Sequence, residues 1–99
     1  MSKVDEMTRN AVAFYAIKDE QLTYFSVPFC CANDREACAI VRNSIEPDSA
    51  LSKHRECFSL YKVGIFHDDV GVFEAGFIPY KIIRIEDLIN GVVEDSDEG

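Results

Sequence analysis

The sequence contains no tryptophan and only three prolines, and it has ten Lys and Arg residues against eighteen Asp and Glu residues. No apolar run approaches the roughly 20 residues of a transmembrane helix. The polar segment 1–10 lacks the pattern of a signal peptide, so we expect the protein to stay in the cytoplasm where it is made. The excess of acidic residues disfavours unaided DNA binding, because neutralisation of phosphates supplies most non-specific affinity for DNA.

Recognisable catalytic motifs are also missing from the sequence. It contains no phosphate-binding glycine loop, no G-x-S-x-G and no H-E-x-x-H. His54 and Cys57 are close in sequence, but no orienting Asn or Asp is evident beside them. Asp68 and Asp69 fit a turn better than an acid/base pair. We therefore predict a protein that is not an enzyme and has no cofactor.

The four cysteines are Cys30, Cys31, Cys38 and Cys57. Because no secretory signal precedes them, we predict buried reduced thiols rather than a disulfide framework. Only His54-x-x-Cys57 has the spacing of metal ligands, and one such pair is weak evidence for a zinc site. No metal site is predicted.

Length and charge predict three regions: a flexible segment 1–10, a single domain over 11–91 and a disordered acidic tail over 92–99. Four of the last six residues are acidic. Residues 11–91 hold twelve acidic and eight basic side chains, so the folded part carries a charge of only −4. The tail is most simply a solubilising segment; the alternatives are mimicry of nucleic-acid phosphate or docking on a basic partner.

The N-terminal half reads as two strands and a helix. Residues 11–17 and 22–27 have β patterns and predict a hairpin that ends at Pro28. Asn33 and Glu36 predict a capped helix over 34–45, with the carboxylate of Glu36 reaching back to the backbone N–H of the cap. The apolar stripe of this helix comprises Ala37, Ile40, Val41 and Ile45.

The C-terminal half reads as a second strand pair. Residues 58–66 predict a long strand with apolar side chains on both faces: Phe58, Leu60 and Phe66 on one, Tyr61, Val63 and Ile65 on the other. A turn over 67–71 closed by Gly71 leads to a strand over 72–78. Residues 80–85 are β-like, 86–89 favour a helical turn, and 49–53 could form another.

The fold class predicted from these elements is α+β, with the order ββαββ plus a short C-terminal element. A small antiparallel sheet of four to five strands packs one main helix on one face. The opposite face, rich in aromatic residues, is a candidate homodimer interface.

Several short motifs follow one another along the chain: Tyr15-Ala-Ile-Lys-Asp, Pro28-Phe29, Asn33-Asp34, Phe58-Ser-Leu-Tyr-Lys-Val-Gly-Ile-Phe and Asp69-Val-Gly. In these motifs, over residues 12–78, the chain resembles the small nonstructural protein of gokushovirus-type microviruses, which are single-stranded DNA bacteriophages. Two positions depart from the family pattern. Cys57 replaces an acidic residue, which weakens any argument for a charged role there, and Val70 replaces a threonine.

The resemblance implies a phage nonstructural accessory protein in the cytoplasm of the bacterial host, assisting viral genome replication or DNA packaging. It carries over no catalytic residues. One functional hypothesis is single-stranded DNA binding, which requires cations beside aromatic stacking platforms. The alternative is a homodimeric adaptor that engages a viral or host replication or assembly factor without binding DNA. The candidate nucleic-acid-binding residues are Lys18, Tyr24, Lys53, Arg55, Tyr61, Lys62, Lys81 and Arg84.

Overall fold

The computed structural model describes residues 11–91. The predicted flexible segment 1–10 and the predicted acidic tail 92–99 lie outside the described residues. In chain order the elements are β1 (Ala11–Asp19), β2 (Tyr24–Phe25), β3 (Phe29–Cys31), α1 (Asp34–Ser44), α2 (Ala50–Lys53), a 3₁₀ turn (Arg55–Cys57), β4 (Phe58–His67), β5 (Val72–Phe73), β6 (Tyr80–Arg84) and α3 (Ile85–Asn90).

The sheet is built on the long central pair β1 and β4, which run antiparallel from Ala11 opposite His67 to Asp19 opposite Phe58. The short strands β2 and β3 share the outer edge of β1, and β5 and β6 share the outer edge of β4. All of these pairs are antiparallel, so the α+β class and the main helix are confirmed.

The strand count differs from the prediction, with six strands over residues 11–91 in place of four to five. The predicted strand 22–27 narrows to Tyr24–Phe25, and a separate strand, β3, pairs with β1 just after Pro28. Proline lacks the N–H that a continuous ladder would need there. The predicted strand 72–78 ends at Phe73, and Gly76 beyond it adopts a left-handed conformation with φ +75°.

The hydrophobic core lies on one face of the sheet, between β1, β4 and β6 and the helices α1 and α3. Tyr15, Leu60 and Ile85 are its largest fully buried apolar side chains. From α1 only Ala37 and Val41 are buried, whereas Ile40 of the predicted stripe is 43% exposed. We call the opposite side of the sheet, which carries Phe14 and Tyr61, the open face.

The start of α1 is capped nearly as predicted. Asn33 Oδ1 accepts from the backbone N–H of Glu36 at 2.8 Å. Glu36 Oε1 accepts from the N–H of Ala32 at 2.7 Å, one residue before the predicted donor. Asn33 is fully extended, with φ −160° and ψ 176°. The short helices α2 and α3 bear out the two predicted helical turns, and Gly91 ends α3 with φ +81°.

Two β-bulges change which side chains share a face. Phe14 is opposite Gly64 and Tyr15 is opposite Lys62, so Val63 is an extra residue in β4. The extra residue shifts the alternation of side chains by one position. The predicted assignment of the far end of β4 is therefore wrong: Phe66, opposite Val12, shares the open face with Tyr61, and Ile65 lies on the core side with Leu60.

Candidate nucleic-acid interface

A lysine lies over two aromatic rings on the open face. Lys18 Nζ is 5.4 Å from the ring centroid of Tyr61 and 5.6 Å from that of Phe25. The two rings contact each other edge to face, with centroids 5.3 Å apart. The sheet register brings the three together, since Lys18 is opposite Phe25 on β2, and Tyr61 is opposite the neighbouring Ala16. Both contacts are within the range of cation–π attraction.

Two further cations join this group from β6. Lys81 is opposite Tyr61 and Arg84 is opposite Ser59, so both lie on the open face. Residues three apart on a regular strand point to opposite faces. Ile82 is an extra residue between Lys81 and Arg84, and this bulge places both side chains on the same face. Their side chains are 45% and 49% exposed. We call Lys18, Phe25, Tyr61, Lys81 and Arg84 the cationic–aromatic cluster.

Glu20 is the anion at the centre of this cluster. Its carboxylate lies 3.7 Å from Lys18 Nζ and 3.3 Å from Lys81 Nζ, and it accepts a hydrogen bond from the Tyr61 hydroxyl at 3.2 Å. Burial alone would raise the pKa of Glu20, but hydrogen bonds from Ser59, Lys81 and Tyr61 together lower it. The carboxylate is therefore ionised at neutral pH and occupies a position where these cations could hold an anion.

The sequence analysis missed Glu20. The available signal was its spacing, because Lys18 and Glu20 are two residues apart at the end of a strand and share a face.

Burial, and then the charge of Glu20, raise the pKa of the Tyr61 hydroxyl, so that group remains a hydrogen-bond donor. Arg84 Nη2 pairs with Glu86 Oε1 at 2.8 Å. Three cations thus share two carboxylates, which leaves this part of the open face with one surplus positive charge.

Lys62, another predicted site residue, lies on the core side of the sheet instead. Its Nζ is 3.9 Å from Asp34 Oδ1, and the same oxygen accepts a hydrogen bond from the Tyr15 hydroxyl at 2.6 Å. Burial, followed by the bond to Asp34, raises the pKa of Tyr15. Because Asp34 is the first residue of α1, this contact ties the start of the helix to the sheet.

The other three predicted residues do not join the cluster. Tyr24 is next to Phe25 in β2 and opposite Asp19, so it faces away from the open face, and it is 62% exposed. Lys53 and Arg55 belong to the helical connection between α1 and β4. Arg55 Nε donates to the backbone oxygen of Ser52 at 3.1 Å. Lys53 and Arg55 therefore lie outside the strands that carry the cationic–aromatic cluster.

A second group of aromatic residues occupies the far end of the open face. The ring centroid of Phe73 is 5.2 Å from that of Phe14 and 5.0 Å from that of Phe66. Phe14 and Phe66 are 6.5 Å apart. Phe73 is 58% exposed, which is high for such a large apolar side chain. We call these three residues the phenylalanine cluster.

Residues 11–91 offer few other chemical features. Within that range no three His, Cys, Asp or Glu side chains gather as metal ligands would. No disulfide joins the cysteines, but the predicted burial holds for Cys31 alone, since Cys30 is exposed and Cys38 and Cys57 are half-buried. Burial raises the pKa of the Cys31 thiol. None of the described helices combines the length and apolar character needed to span a bilayer.

The fold and the site define a small α+β domain whose antiparallel sheet presents cations and aromatic rings on the face away from its helices. A family model described as Phage ORF5 protein matches residues 12–88, which run from β1 into α3. The chain belongs to this phage protein family. No curated protein and no solved structure matches the chain.

Proposed function

We propose that this phage protein binds single-stranded DNA on the open face of its sheet. Its role would be that of the nonstructural accessory protein of gokushovirus-type microviruses, assisting viral genome synthesis or packaging in the host cytoplasm. It would act by binding rather than by catalysis. The observation that carries the proposal is the position of Lys18 over Tyr61 and Phe25, with Lys81 and Arg84 on the same face.

The cluster supplies both components that single-stranded DNA sites use. Phe25 is 39% exposed and offers ring surface for stacking of bases, with the half-buried Tyr61 beside it. Lys81 and Arg84 have exposed charged ends for phosphates. Glu20 opposes this, because a phosphate must compete with its carboxylate for Lys18 and Lys81. We therefore expect weak to moderate affinity with a strong dependence on salt.

The proposal is tested by fluorescence anisotropy of a labelled single-stranded oligonucleotide over a salt series. The variant combines Lys18→Gln, Lys81→Gln and Arg84→Gln. Each lost phosphate contact reduces the slope of log K against log salt by about 0.7 for a single strand, so the triple variant should lose about 2. Loss of affinity at the lowest salt concentration should accompany this change.

A matched control removes three cations from elsewhere. Arg35, Arg42 and Lys53 are exposed residues of the helical layer and its connection, and their replacement by Gln changes the net charge equally. The control should retain most of the wild-type affinity. Equal losses of affinity in the two variants would show that net charge, rather than the cluster, determines binding. Absence of wild-type binding at low salt would refute DNA binding itself.

The phenylalanine cluster favours a second candidate function, an adaptor without DNA binding. We infer that the cluster is a homodimer interface of a protein that engages a viral or host replication or assembly factor. Its three side chains are uncharged, so two copies of an acidic chain can approach there without direct repulsion between like charges. Phe73 projects from this patch and would be its central contact.

Size-exclusion chromatography with light scattering tests this second function. Phe73→Ser should convert a dimer to a monomer. Val70→Ser is the control, because Val70 is 66% exposed but lies in the turn before β5. A wild-type protein that is monomeric at high concentration would contradict the dimer.

A further inference from the structure

We propose that the acidic C-terminal segment 92–99 of this chain docks on the β6 edge of the cationic–aromatic cluster, at Lys81 and Arg84. The contact is intramolecular. Where the proposed function holds, the segment competes with DNA for the same cations; the docking itself does not depend on that function.

Charge complementarity is the first argument. Glu94, Asp95, Asp97 and Glu98 place four carboxylates within five residues. The cluster has three cations for two described carboxylates, and its most exposed cations are Lys81 and Arg84. Several weak ion pairs made by one tethered segment add together, because the tether keeps the local concentration of the carboxylates high.

The path of the chain is the second argument. Arg84 directly precedes α3, and the six residues of that helix rise by about 9 Å before Gly91. An eight-residue segment extends up to about 27 Å, and its first carboxylate, on Glu94, is three residues beyond Gly91. The segment is therefore long enough to return to Arg84 and continue to Lys81.

The position of β6 is the third argument. Among the described strands β6 pairs with β4 alone, so it forms an outer edge of the sheet. β6 is therefore the one strand that separates the end of α3 from this edge of the open face. The bulge at Ile82 then presents both cations to the segment on the same face.

The docking is tested on the full chain without DNA, by two-dimensional NMR of backbone amides. The tail variant combines Glu94→Gln, Asp95→Asn, Asp97→Asn and Glu98→Gln. Relative to wild type, we expect shifts in the amides of β6 and of the adjoining residues 59–62 of β4. About 0.5 M salt should move the wild-type shifts towards those of the variant, because the Debye length falls well below 10 Å.

The control variant removes the same charge from Glu46, Asp48, Asp68 and Asp69, all of which are exposed. It should leave the β6 amides unchanged. Absence of β6 shifts in the tail variant would overturn the docking, as would equal shifts in both variants. Wild-type shifts that depend on protein concentration would assign the contact to a second copy and overturn the intramolecular form.

A DNA arm separates this inference from the proposed function. If both hold, the tail variant should bind the labelled oligonucleotide more tightly than the control variant, by about threefold or more. Equal affinity of the two variants would overturn the competition. If neither variant binds DNA while the β6 shifts are present, the docking stands and the DNA-binding function is refuted.

Discussion

Replacing Tyr15 by Phe removes a single hydroxyl from a side chain that is completely buried. That hydroxyl donates to Asp34 Oδ1 at 2.6 Å and joins β1 to the first residue of α1. The ring itself packs beside Phe29, with centroids 6.0 Å apart, and this contact survives in the variant. Since burial and Asp34 raise the pKa of Tyr15, the hydroxyl is a donor throughout the neutral range.

The loss of stability depends on how far other partners of Asp34 replace the Tyr15 hydroxyl. A hydrogen bond to a charged group contributes about 1.5–3 kcal/mol. In the variant the side chain of Asp34 is still 47% exposed to water and still has Lys62 Nζ 3.9 Å from Oδ1. Water and Lys62 therefore compensate part of the lost hydrogen bond. We expect Tyr15→Phe to lower the free energy of unfolding by about 1–2 kcal/mol. In a domain of this size the Tm should fall by about 4–16 °C.

Urea unfolding followed by circular dichroism measures the change. Tyr24→Phe is the matched control, because Tyr24 is 62% exposed and its hydroxyl makes no hydrogen bond within residues 11–91; its stability should be unchanged. In a double-mutant cycle with Asp34→Ala, the coupling energy should be about 1 kcal/mol. A Tyr15→Phe variant as stable as wild type, or a coupling near zero, would refute the anchoring role.

Three further outcomes are expected from unfolding experiments. Gly71→Ala should lower the free energy of unfolding by about 1–2 kcal/mol, because Gly71 has φ +75°. Gly64→Ala is the control and should leave it nearly unchanged, since the added Cβ would lie 3.9 Å from Phe73 Cδ1. Equal effects of the two substitutions would contradict this prediction. Asn33→Ala should lower the free energy of unfolding by about 1 kcal/mol, because it removes the N-terminal cap of α1. Asn43→Ala, at an exposed position of the same helix, is the control and should leave it unchanged. Because the pKa of Glu20 is lowered from 4.5, its contribution to stability is present above that pH and lost as the pH falls through the lowered value. Stability measured against pH should therefore fall less steeply in Glu20→Gln, and parallel curves would argue against the Glu20 contacts.

Local signals in the sequence were sufficient for several elements. Asn33 and Glu36 located the start of α1, and Gly71 marked the left-handed end of a turn. These features depend on one residue and its near neighbours, so their chemistry is readable from a few positions. The alternating and apolar runs located β1 and β4 for the same reason.

The candidate site was predictable only in part. Lys18, Tyr61, Lys81 and Arg84 were selected as cations and aromatics, and the structure brings these four together. Lys62 was selected by the same criterion but lies on the core side. Residue type identifies candidates, but which face of the sheet each occupies depends on register.

The sequence by itself determined a small acidic α+β domain, its main helix and the residue types available for a binding surface. The tertiary structure decided which of them meet. An extra residue at Val63 moves Phe66 to the open face, and another at Ile82 moves Lys81 and Arg84 to the same side. A bulge arises from pairing between distant strands, so no local pattern reports it, and it reverses the facing of each residue beyond it.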